Sequence, residues 1–284
     1  NPQTINLVND ARFLTSSSGK DFRELLKKHG WKYVGYNPQD LFGAGGATVH
    51  TVDLFCEKGY SGDIDMKSIT KETFTVSREV NYIVDGGSKE LTEFLYSLLD
   101  KVAEYGCLLN KQTTTSWQVK KKEGVTLDPK YISDIEKEGF IKTLIKMQKT
   151  GNTYKYVNKE KLDINNKWKV VFGYLPSGLS HSLSIGLTTI IDNYTQLPKD
   201  PYRFFECNTE DHARSLQSYI TSNVIDKFIL PATRINKTFD GKTSDGVTKF
   251  IPKLPEGVTI ENDDDVFDFL ETPEHIREAV RARF

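Results

Sequence analysis

The sequence predicts an α/β fold that passes, near residue 106, into an α+β region. Three observations point there. The first hundred residues alternate strand-like and helix-like segments, as "INLVNDARFL", "KDFRELLKKHG" and "WKYVGY" do. Two stretches, 88–106 and 209–230, repeat apolar residues at three- and four-residue spacing, the mark of an amphipathic helix. From 107 to 203 the texture changes to short aromatic and β-branched runs separated by turn residues. The spacing therefore divides the chain into 1–106 and 107–284.

The elements can be justified in order. Residues 5–14 form a strand running into a turn. "SSSG" supplies a helix start, with Ser17 or Ser18 as N-cap. The following helix turns Phe22, Leu25 and Leu26 inward and stops at Gly30. Residues 31–36 form a short strand, "NPQD" a turn, and "TVHTVDLFCEKGYSG" a strand closed by glycine. In 88–106, Ser88 caps a helix that buries Leu91, Phe94, Leu95, Leu98, Leu99 and Val102 and ends on Gly106. In 209–230, Thr209 is the N-cap, and Ala213, Leu216, Tyr219, Ile220 and Phe228 face inward. "DGKTSDG" is a turn-rich tip. A last short helix starts with Thr272 as N-cap and Pro273 in its first turn.

Composition excludes several classes. The 284 residues suit one large or two smaller domains, and 37% hydrophobic content supports a packed core. A net charge of −1 allows a local basic face. Cys56, Cys107 and Cys207 lie far apart, against a disulfide framework or a zinc site. With no bilayer-length apolar run and no signal-peptide pattern, the expected location is cytoplasmic and no membrane partner is expected. His29, His50, His181, His212 and His275 show no metal spacing. The acidic run "ENDDDVFD" reads as a solvated helix approach, and "DIDMK" lacks the upstream acid of a nuclease site.

The stretch "QDLFGAGGATVH" (39–50) resembles a glycine-rich cofactor loop. A phosphate cradle needs a helix immediately after the loop, to supply amides and dipole. Here "ATVHTVDLF" follows, which reads as a strand. The glycines read more simply as the means of a turn. Strand, helix, strand, glycine loop, strand is the order that closes a class I methyltransferase sheet, where the last two strands form an antiparallel pair at its edge.

With that order in view, the sequence resembles the TaqI-like, gamma-class adenine-specific DNA methyltransferases of type II restriction–modification systems. "ARFL", "DFRELL" and "DLFGAGGATV" are similar to the family's stretch after the catalytic motif. "PYRFFECNTEDHARSLQSYITSNVIDKFILPATR", followed by "TKFIPKLP", is similar to the end of its target-recognition domain, and "DDDVFDFLETPEHIREAVRARF" to its terminal helix. The resemblance covers most of the chain in scattered motifs. It implies the end of a class I (Rossmann-like) catalytic sheet in 1–106 and an irregular DNA target-recognition domain in 107–284.

The family's cofactor motif and its (N/D)-P-P-(Y/F) catalytic motif are absent; "NPQT", "NPQD" and "DPYR" hold only fragments of the latter. No catalytic residue and no metal site is therefore expected in this chain. S-adenosylmethionine would serve the complete enzyme and is not expected to bind this chain alone. The expected partners are double-stranded DNA and a missing N-terminal catalytic half, on the same polypeptide or a separate one. The chain starts at Asn1 rather than Met, in keeping with a piece of something longer.

The resemblance assigns Phe42 to stacking on a flipped target adenine. DNA contact falls to loop residues with amide, hydroxyl and basic side chains: Lys111, Gln112, Thr114, Trp117, Lys120, Ser180, His181, Arg234, Lys237, Lys242 and Lys249. Two other readings stay open. One is a non-catalytic DNA-binding specificity module. The other is a type II restriction endonuclease with a methyltransferase-like recognition domain.

Overall fold

In the computed structural model, which describes residues 3–37, 51–112, 118–121, 124–127, 129–173, 185–197, 202–233 and 248–284, the first element is β1 (Thr4–Asp10). The Asp10 carboxylate ends it by capping a 3-10 turn at 11–14, accepting the Arg12 N–H at 2.9 Å. A second 3-10 turn, at 17–19, is capped by Ser16, one residue before the expected serines. Helix α1 (Lys20–Lys28) continues from it with no side-chain cap of its own. Leu26 is buried, but Leu25 is 48% exposed rather than inward. Arg23 takes a buried place on the helix because its guanidinium donates to the Phe13 and Ser16 carbonyls beneath it.

Four more strands complete the first sheet: β2 (Trp31–Asn37), β3 (Thr51–Glu57), β4 (Ile64–Lys67) and β5 (Thr73–Val76). Their order is β1-β3-β2-β4-β5. Strand β3 is antiparallel to both β1 and β2, so those two run parallel to each other with β3 between them. Strand β4 is parallel to β2, and β5 returns beside it. The expected antiparallel pair, β2–β3, is present. It lies inside the sheet rather than at the edge, because the β4–β5 hairpin extends the sheet past β2. One face carries alternate apolar residues (Val34, Leu54, Ile64, Met66) into a core with Leu14, Leu26 and Trp31.

Helix α2 (Lys89–Tyr105) begins at Ser88, whose hydroxyl accepts the Leu91 N–H, and ends at Gly106 with φ +78°. Its buried face, with Phe94, Leu95 and Leu98, shares a core with residues from 108 to 280. The helix that the sequence grouped with the first part thus packs into the second. Tyr96 touches both cores.

Among the described residues the second part holds three small antiparallel sheets. One is the hairpin β6 (Gln118–Lys121) and β7 (Gly124–Leu127). Another comprises β8 (Ile132–Ser133), β9 (Phe140–Lys146) and β10 (Thr153–Asn158), ordered β8-β10-β9. The third comprises β11 (Trp168–Gly173), β12 (Thr188–Ile191) and β13 (Tyr202–Cys207), ordered β12-β11-β13.

Helix α3 (Glu210–Thr221) is capped by Thr209, as expected. The long helix to 230 is broken at Ser222, whose ψ is 151°. The Ser222 hydroxyl donates to the Tyr219 carbonyl and accepts the Ile225 N–H, replacing ladder bonds there. The chain resumes as a π-helical turn (Val224–Ile229) and α4 (Leu230–Thr233). The acidic run forms α5 (Asp263–Phe269), where Asn262 and Asp265 make a reciprocal capping box. Helix α6 (Glu274–Arg281) takes Pro273 as its N-cap, with no side-chain cap from Thr272, which lies one residue too early. No described helix is long and apolar enough to cross a membrane.

Candidate functional site

The sheet order brings three polar residues into one row. Thr51 opens β3 and is in register with Asp10, the last residue of β1, and with Asn37, the last of β2. The row therefore lies at the carboxyl ends of two parallel strands, where ligands of open α/β sheets bind. Asn37 and Thr51, the described residues that flank the segment carrying Phe42, both belong to it.

The Asn37 Nδ2 and Thr51 Oγ1 atoms are buried and find no hydrogen-bond partner among the described residues. Buried polar atoms are nearly always satisfied, so such a pair marks a place for polar atoms from elsewhere. Asp10 is already engaged: besides capping the turn it binds the Arg12 side chain, with Nε at 2.6 Å. That contact raises the Arg12 pKa above its ordinary value.

The loop beside this row is held from below. Arg23 donates to the Phe13 and Ser16 carbonyls, and Lys249 donates to the Thr15 carbonyl between them. Both cations lie against the Tyr82 ring, Arg23 at 5.2 Å and Lys249 at 4.4 Å from its centroid. Burial lowers the Arg23 pKa, without bringing it near neutrality for a guanidinium. Tyr36, on β2, is buried, and desolvation, then Asp85 and Tyr96, push its phenol well above the ordinary range. It stays a neutral packing residue.

The residues singled out from sequence fall in different places. Lys111 is exposed at its side chain and ion-paired with Glu206, and its backbone bridges to Phe204. Gln112 follows it, half-buried. Lys120 lies on β6, opposite Val125 of β7. Lys249, expected on a phosphate-gripping loop, is only 5% exposed and clamps the loop after β1 instead. A buried ammonium needs acceptors, and the Thr15 carbonyl supplies one. Phe42, Thr114, Trp117, Ser180, His181, Arg234, Lys237 and Lys242 lie outside the described residues.

The Asp10–Thr51–Asn37 row escaped the reading of the sequence. Asn37 abuts the predicted strand 31–36, but Asp10 and Thr51 fall inside predicted strand segments, so nothing local marks the three as a row. Among the described residues no group of three or more His, Cys, Asp or Glu is arranged to hold a metal ion. Cys56 and Cys207 are buried, and desolvation raises both thiols, Cys207 to about 12, so they are packing thiols rather than nucleophiles.

No family model and no curated protein matches the sequence. Two solved structures of restriction–modification enzymes resemble the chain. One is the type IIG restriction endonuclease BpuSI, at 13% identity and a TM-score of 0.33, covering 97% of this chain and 42% of that one. The other is the type IIL restriction-modification enzyme MmeI in complex with DNA, at 10% identity and a TM-score of 0.47, covering 99% and 42%. The chain thus spans about two fifths of the length of each. At these scores the likeness by itself assigns no activity.

Proposed function

We propose that the chain is the C-terminal part of a site-specific, S-adenosylmethionine-dependent DNA adenine-N6 methyltransferase, supplying target-base stacking and sequence recognition. The observation that carries this reading is the arrangement of β1, α1, β2 and β3. Two parallel strands joined through a helix, with an antiparallel strand between them, is the way a class I methyltransferase sheet ends.

A further feature supports it. Among the described residues strand β1 pairs on one side only, and Ile5, Leu7 and Val8 on it are 38%, 39% and 63% exposed. Apolar residues on both faces of an open edge suit a strand that continues into a larger sheet. In this reading the cofactor and the catalytic N-P-P-aromatic motif belong to that larger sheet. The Thr51–Asn37 pair lies beside the target base, with Phe42 stacked on it.

The test starts with the coding sequence upstream of Asn1. The longer polypeptide should carry an N-P-P-aromatic motif and transfer labelled methyl groups from S-adenosylmethionine to duplex DNA. Phe42→Ala should lower that rate about tenfold or more, the worth of one aromatic–base stack of roughly 1–3 kcal/mol. A complete gene product without the motif and without methyl transfer would overturn the reading.

A further inference from the structure

In the turn that follows β12, one large side chain is left in solvent while its neighbours are covered. Thr195, Gln196 and Leu197 are buried, yet Tyr194 is 76% exposed. The backbone that carries it is fixed from several directions. The Asp192 carboxylate accepts the Tyr194 and Thr195 N–H groups at 3.0 and 2.7 Å. The Lys169 ammonium donates to the Thr195 carbonyl, and the Gln196 side-chain amide to that of Tyr194 at 3.4 Å. Backbone bonds of Gln196 with Lys142 and Leu144 seat the turn on β9.

The same clamp joins this turn to the segment that opens the sequence-level DNA contacts. Lys169 is in register with Ile191, so β11 begins where β12 ends. Lys169 also donates to the Asn165 carbonyl, and the Asn165 N–H donates to the Gln196 side chain at 2.9 Å. The Asn165 amide reaches Glu206, which pairs with Lys111. A continuous set of contacts therefore runs from Tyr194 to Lys111 and Gln112. Charges around the turn are mixed: Asp163, Asp192 and Glu206 lie among Lys111, Lys142 and Lys167. No single sign is offered to a phosphate, so the contact this turn can make is through the ring. Among the described residues the ring and its hydroxyl have no partner. A tyrosine on a fixed backbone has two χ angles to order, and every base presents a π-face to it.

We infer that Tyr194 is a base-stacking contact, held by the Lys169 clamp so that its ring enters DNA at an opened base step. The inference rests on the DNA reading above and adds a residue that the sequence-level candidates did not include. Stacking is tolerant of base identity, so Tyr194 adds affinity and position rather than sequence readout.

The test is binding of the full chain to a duplex carrying one unpaired base, measured across a salt series. Tyr194→Ala should lower the affinity at least about fivefold at every salt concentration. The slope of log K against log salt should stay as in the wild type, because no charge is removed. Tyr194→Phe keeps the ring and should bind as the wild type does. Ile135→Ala, which trims a side chain 73% exposed on another loop, should also leave binding unchanged. Both positions are exposed, so the variants keep the fold. Wild-type affinity in Tyr194→Ala, a changed slope, or an equal loss in Tyr194→Phe or Ile135→Ala overturns this inference and leaves the DNA reading standing. Wild-type protein that fails to bind DNA at low salt overturns both.

Discussion

Lys169 shows how one residue can carry an energetic signature of its own. It lies on β11, is 1% exposed, and donates to the carbonyls of Asn165, Lys167 and Thr195 at 2.7, 2.7 and 3.2 Å. Desolvation, partly offset by Glu206 and Asp192, lowers its pKa from 10.5 to about 8. The folded state then holds this proton less tightly than the unfolded state. Between pH 8 and the unfolded value the unfolded chain binds more protons, so stability rises with pH in that window. The full effect is at most about 3 kcal/mol. The buried thiols Cys56 and Cys207, with raised pKa values, act in the opposite sense near pH 9–10, so the contribution of Lys169 is read as a difference: in urea unfolding from pH 7 to pH 10 the stability of the wild type relative to Lys169→Met should rise with pH. Parallel pH profiles in the two proteins would refute the assignment. Lys169 and Lys249 also mark a limit of the sequence. A lysine clamped on backbone carbonyls looks like any surface lysine, because its acceptors have no side-chain identity. The Lys249 ammonium therefore read as a phosphate contact when it is a buried tie.

Elements were most legible where a local signal decided them. Ser88, Thr209 and Gly106 bound their helices as their residue types require. The break at Ser222 was invisible because the apolar spacing continues through it, from Ile220 to Val224 and Phe228; one hydroxyl bonding both sides makes the break. Gly30 and Gly59 separate two reasons for a glycine that look alike in sequence. Both have positive φ, +80° and +84°. A Cβ on Gly30 would lie 1.9 Å from the Glu57 carbonyl oxygen of β3, while one on Gly59 meets nothing within 4 Å. Gly59→Ala should cost about 1–2 kcal/mol, the strain of the left-handed backbone alone. Gly30→Ala adds a backbone clash where α1 turns into β2, and should cost more than about 3 kcal/mol or prevent folding. Urea denaturation of the two variants checks the contrast, and equal losses would sink it.

At the scale of the whole molecule, the open edge of β1 sets how the chain behaves alone and in a longer protein. The described residues form two main cores, one in the first sheet and one around α2 and α3. Strand β1 is different, with Val8 63% exposed beside a backbone edge that no described strand pairs with. An apolar edge of this kind templates pairing with another chain, and a lysine on it discourages that pairing. In the isolated chain Val8→Lys should reduce concentration-dependent light scattering and change unfolding stability by less than about 0.5 kcal/mol, as for an exposed position. If β1 continues into a larger sheet, the same substitution in the longer polypeptide places an ammonium against buried strands. There it should lower thermal stability and methyl transfer together, at a cost of several kcal/mol for an unpaired buried charge. The opposite response of the two proteins to one substitution is the discriminating result. A Val8→Lys variant that leaves the longer protein fully stable and active would mean that β1 is a true edge, and that the catalytic sheet does not extend across it.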